Sequence, residues 1–205
     1  MTVSVEAFAL DGTIDYFARL PEVSAKAARL AINDVATRGG MRLARDAILD
    51  QIAFPKDYLG GDRLAVTQYA KESNLEAVIT ARKRATSLAR FAQGQPLGSK
   101  AKLGVRVTVG KGNTTVLRNA WLVRLRKGAS LTQDNYNVGL AVRLKPGERL
   151  SNKTAAHKSW LIPDSVALLY GPSVDQIFRD VAGDIGEPVA ALVADQFFRQ
   201  FARLA

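Results

Sequence analysis

Three groups of basic side chains are the first chemistry that the sequence offers. Arg82, Lys83 and Arg84 form one, with Arg90 beyond it; Arg118, Arg124, Arg126 and Lys127 form a second around Trp121; Arg143, Lys145 and Arg149 form a third. Cations at this density suit an anionic surface, and two kinds fit. Nucleic-acid phosphates would be neutralised by them while Trp121 or Tyr136 stacked on bases. An acidic face of a neighbouring subunit would instead meet arginines that mark the solvent side of a sheet. Trp121, between Ala120 and Leu122, reads as a core residue rather than a stacking platform, and none of the standard nucleic-acid modules is recognisable. The ten residues of the three groups are the candidate subunit or DNA contacts.

Catalytic chemistry needs a constellation, and none assembles. His157 is the single histidine, so a multi-histidine metal site is excluded, and its polar surroundings from Lys153 to Lys158 read as a surface loop. Asp46 and Asp50, four residues apart, share a helix face that could ligate a cation; beside Arg42 and Arg45 they read as solvated helix charge. Gly110-Lys111-Gly112 lacks the ending and following helix of a phosphate loop, and the glycines from Gly94 to Gly98 lack dinucleotide-fingerprint spacing. The chain has no cysteine, which removes thiolate zinc sites and disulfides. The expectation is a protein without catalytic, cofactor-binding or metal residues, and not an enzyme.

Charge is unevenly spread. Residues 81–160 hold 17 Lys and Arg against Asp134 and Glu148, an excess of 15 positive charges; the rest holds 12 basic and 17 acidic residues, a net of −5, within a total of +10. Such a split speaks of partners rather than of fold. The first twenty residues lack the basic start and apolar run of a signal peptide, and no stretch approaches a membrane span, so a soluble protein assembled in the cytoplasm is expected.

The elements that must position these charges follow from periodicity. The pattern predicts a short helix over 14–20, then helix from Pro21 to about Ile52, with Ala27, Leu30, Ala31, Met41, Ala44 and Ile48 as its apolar stripe and a kink or break at Gly39-Gly40. Phe54-Pro55 ends it, and the segment to Arg63 reads as a loop. Strands are predicted over 64–69, 75–81, 103–109, 114–125 and 138–144, with a hairpin turn at Gly110 to Asn113. Gln93 to Lys100 and Ser151 to Lys158 are polar stretches expected to order against neighbouring subunits. Gly171-Pro172 breaks the chain before a capping box of Ser173 and Gln176; the helix should end or kink at Gly186, and a final one should start from Pro188. The fold class is α+β: one domain over 1–205, helical over 1–55, β-rich and basic over 64–145, helical over 173–205, with the terminal helices packed on a mainly antiparallel sheet.

This order of segments resembles the minor tail protein Z group of tailed bacteriophages and prophages, the tail completion or neck proteins. The resemblance is carried by Ala27 through Ala36, the arginine-bearing helix to Gln51, the run Ala81 to Phe91, the stretch Gly139 through Glu148, and Leu169-Tyr170-Gly171-Pro172-Ser173-Val174. It implies a virion protein at the head-proximal end of the tail, acting in tail completion or head–tail joining, in a ring with copies of itself and against other tail or head-connector proteins. It transfers no residue roles. The alternative is a basic accessory protein that binds DNA nonspecifically during packaging or genome retention.

Overall fold

The structure is a computed structural model that describes residues 10–55, 57–92, 104–125, 138–145, 161–162 and 166–205. The fold is α+β, with helices at both ends of the chain and antiparallel sheets between them. It forms two compact units, one of residues 1–45, 64–80 and 181–205, the other of 46–63 and 81–180. The stretches 93–100 and 151–158 lie outside the described residues.

In the first unit, α1 (Leu10–Thr37) is one helix with Pro21 inside it, where a boundary was expected. Proline's φ is helical, so the loss is confined to one backbone bond and local crowding, and the alanine-rich stretch beyond it buries Ala27 and Ala31 completely. The expected break is present but shallow: α2 (Gly39–Gln51), of which residues 39–45 belong to this unit, follows after Arg38 alone, and i→i−4 bonds Arg38 N to Asp34 O (3.0 Å) and Arg42 N to Arg38 O (2.9 Å) bridge it. Close packing rather than turn geometry favours a small residue there. A Cβ on Gly39 would lie 3.0 Å from Leu192 Cδ1, and one on Gly40 3.0 Å from the Val35 carbonyl oxygen. Strands β1 (Leu64–Gln68) and β2 (Val78–Ala81) pair across a turn at Lys71–Asn74. The Asn33 amide of α1 holds this hairpin twice, donating to Ala70 O at 3.0 Å and accepting from Ala70 N at 2.8 Å.

The second unit contains a five-stranded sheet and a hairpin. In the sheet, β3 (Thr86–Ser87), β9 (Val166–Gly171), β7 (Val138–Arg143) and β6 (Ala120–Arg124) lie in that order, with β8 (Leu161–Ile162) also on β9. The hairpin is β4 (Val105–Thr108) with β5 (Thr114–Leu117), its turn at Gly110–Asn113 as expected. The single strand expected over 114–125 is two strands in two sheets, separated by a turn at Arg118-Asn119. Thr114 to Val116 are exposed along β4, whereas Ala120 and Leu122 are buried along β7. β structure also reaches Gly171, past the limit of 145 read from the sequence. Val166 to Tyr170 is a continuous apolar run without alternation, as suits a strand paired on both edges. One face of the sheet buries Ala141, Val166 and Leu168, and Trp121, Val123 and Tyr170 pack half-buried against them, so Trp121 flanks a core rather than lying inside it.

Helix α3 (Val174–Leu204) starts with the expected capping box: Ser173 N donates to Gln176 Oε1 (2.9 Å) and Gln176 N to Ser173 Oγ (3.1 Å). It neither ends at Gly186 nor restarts at Pro188; both lie inside one 31-residue helix. Both positions are exposed, so no neighbour opposes the proline ring, and the cost is again local. Among the described residues no helix is long and apolar enough to cross a membrane.

Candidate functional site

After α2 the chain makes three consecutive tight turns: Tyr58 N to Pro55 O (3.0 Å), Gly60 N to Asp57 O (3.1 Å) and Arg63 N to Gly60 O (3.4 Å). They require a left-handed backbone at Asp57 (φ 62°) and Gly61 (φ 64°), which a short polar side chain and a glycine tolerate. The outcome is to bury Tyr58, 3% exposed, within what the sequence suggested was a plain loop. Its ring stacks on Phe54 (centroids 4.9 Å apart, 23° between planes), and Phe54 in turn meets Phe91 at 5.5 Å.

Three arginines from three segments converge on this ring. The Cζ atoms of Arg63, Arg90 and Arg82 lie 4.6, 5.0 and 5.7 Å from its centroid. Arg63 Nη1 donates to the Tyr58 carbonyl at 3.0 Å, and Arg82 Nη2 to the Tyr58 hydroxyl at 2.7 Å. A guanidinium only donates, so the phenol oxygen accepts from Arg82 and its own proton is free for Thr86 Oγ1, 3.1 Å away. Thr86 is buried, and its backbone is fixed by pairing with Gly171. Backbone bonds from Arg82 N to Arg63 O (2.9 Å) and from Asp175 N to Arg82 O (3.2 Å) tie two of the arginines to each other and to the first turn of α3.

Two members of the cluster, Arg63 and Arg82, are electrostatically incomplete. Among the described residues no carboxylate pairs with Arg63 or Arg82, and the Nε of each is buried without an acceptor. Each cation–π contact contributes about 0.5–2 kcal/mol. Against that, the like charges gathered on one ring repel one another, and an unmet buried donor costs about 1–3 kcal/mol. An oxyanion meeting the guanidinium groups would relieve the repulsion.

The other basic residues do not form one face. Lys83 and Arg84 are exposed between β2 and β3, and Arg118 is exposed in the turn between β5 and β6. Arg124 pairs with Val138 at the start of β7, whereas Arg143 closes β7 opposite Val166. Val138 and Arg143 are an odd number of residues apart, so Arg124 and Arg143 point to opposite faces at opposite ends of the strand, about 17 Å apart along it. Lys145 is exposed just beyond. Arg126, Lys127 and Arg149 lie outside the described residues, as does His157. A common solvent face of alternating arginines is therefore replaced by separate basic points and one cluster, of which only Arg82 stood among the candidates. Arg63 and Tyr58 had no local signal, because their partners come from residues 82 to 90.

Asp50 has a partner other than its helical neighbours: it forms an ion pair with Lys111 of the hairpin turn. Lys111 N also donates to the Gln51 carbonyl at 3.1 Å, and Ala53 N to Val109 O at 2.8 Å. The turn thus caps the C-terminus of α2, which has no basic residue in its own last turn, with a backbone donor and a cation suited to the helix dipole. Comparison with family models, with curated proteins and with solved structures finds no match to this chain.

Proposed function

We propose that this chain is a structural subunit of a tailed-phage virion, without enzymatic activity, acting in tail completion or head–tail joining at the head-proximal end of the tail. In this reading it assembles into a ring with copies of itself and contacts neighbouring tail or head-connector proteins. The order of its segments supports the context. One structural observation supports the self-association: from Ala182 to Leu204 no residue of α3 is fully buried, although the stretch carries Ile185, Val189, Val193, Phe197, Phe201 and Leu204, all half-buried, and Phe198, exposed. Phe198 is 68% exposed, and its neighbour Phe197, half-buried, meets the rings of Phe198 and Phe201 at 5.5 and 5.9 Å. An apolar surface of this kind fits burial against another protein.

The test is the size and symmetry of the purified full-length chain, by sedimentation and electron microscopy, together with its detection in purified particles. Closed rings and a place in the particle are expected. A monomer at every concentration that binds duplex DNA with a steep salt dependence would favour the accessory DNA-binding reading instead.

A further inference from the structure

We propose that the arginine cluster on Tyr58 is one half of a contact between copies, and that it receives carboxylates from the α3 helix of a second copy. The inference rests on the ring-subunit reading and adds to it the residues that join. On the receiving side, Arg63 and Arg82 are half-buried and have no carboxylate partner among the described residues. Each guanidinium has five N–H donors, of which Arg63 uses one on the Tyr58 carbonyl and Arg82 one on its hydroxyl. The stacking on Tyr58 and the backbone bond between the two residues hold the groups in place before any ligand arrives, which lowers the entropy lost on binding.

On the donating side, Asp184, Glu187 and Asp195 are exposed and make no ion pair among the described residues. At 3.6 residues per turn they fall within an arc of about 80° on α3. The same helix carries the exposed Phe198, so one docking event would bury aromatic surface and neutralise both charge sets. Guanidinium groups match carboxylates in a two-pronged geometry, which fixes orientation as well as charge. Because the two halves are different surfaces of the chain, the contact is head-to-tail, the type that generates rings when the rotation closes. Residues outside 81–160 carry the net −5 that the basic part lacks, which favours this occupant over a phosphate backbone.

The experiment is charge exchange in the full-length chain, read by sedimentation at fixed salt. Arg63→Glu and Glu187→Arg should each weaken self-association at least tenfold, and a mixture of the two variants should associate more tightly than either alone, because one restored contact forms. Glu187 lies outside the Tyr58 cluster, so its reversal probes the interface even where Arg63→Glu disturbs folding; circular dichroism checks the fold of both. Wild-type oligomers that survive both reversals would overturn this contact and leave the ring reading standing. A wild type that never self-associates would overturn both. Loss of affinity for a short DNA duplex in Arg63→Glu, with oligomerisation unchanged, would make phosphate the ligand and overturn the carboxylate.

Discussion

Arg82 reaches back 24 residues to hydrogen-bond the Tyr58 hydroxyl at 2.7 Å, and that bond joins a loop after a helix to the approach of the central sheet. The phenol also meets Thr86 Oγ1 inside the protein. Tyr58→Phe leaves the packing of the ring but strands Thr86 and one donor of Arg82. The expected loss is about 1–3 kcal/mol, measured by urea unfolding; an unchanged midpoint would mean that the hydroxyl contributes nothing.

The reciprocal bonds of Ser173 and Gln176 give α3 a defined start. Ser173→Ala should destabilise the protein by about 1 kcal/mol, as loss of an N-cap does elsewhere. Because Ser173 is buried, a thermal melt lowered by several degrees is expected rather than fraying of an exposed end.

Two glycines in the left-handed region of the backbone should respond differently to alanine. Gly104 has φ 78°, and a Cβ there would collide with the Leu117 carbonyl oxygen; Gly112 has φ 77°, with nothing within 4 Å of an added Cβ. Gly112→Ala should cost about 1–2 kcal/mol of backbone strain alone. Gly104→Ala adds displacement of β5 and should cost clearly more. Equal unfolding midpoints for the two variants would contradict the close approach of Gly104 to β5.

Pro188 sits inside α3 at an exposed position. Replacing it with alanine returns a backbone donor and removes ring crowding, and should raise stability by up to about 3 kcal/mol. Calorimetry of the Pro188→Ala variant reads this directly, and a lower melting temperature would show that the helix needs its proline.

The exposed ion pair of Lys111 with Asp50 should matter little to stability. Lys111→Ala keeps the backbone bond to Gln51 and should change stability by less than about 1 kcal/mol, the range of surface pairs. Phe198→Ser should likewise leave the unfolding of the monomer within about 0.5 kcal/mol, while weakening self-association in sedimentation.

The sequence by itself determined the features that depend on near neighbours. The apolar stripe through Ala27, Ala31, Ala44 and Ile48, the hairpin at Gly110–Asn113 and the Ser173 capping box are each set by spacing within a few residues, and each is present. Tertiary structure decided what depends on distant partners. Val166 to Tyr170 becomes a strand because β7, β3 and β8 flank it, and 114–125 divides because its two halves find different partners. Pro21 and Pro188 stay inside helices, since one lost backbone bond is smaller than what the remaining helix supplies. The basic residues followed the same division. Their number and sign were plain in the chain, but only the fold, by burying Tyr58 where residues 63, 82 and 90 could reach it, made three of its arginines a single site.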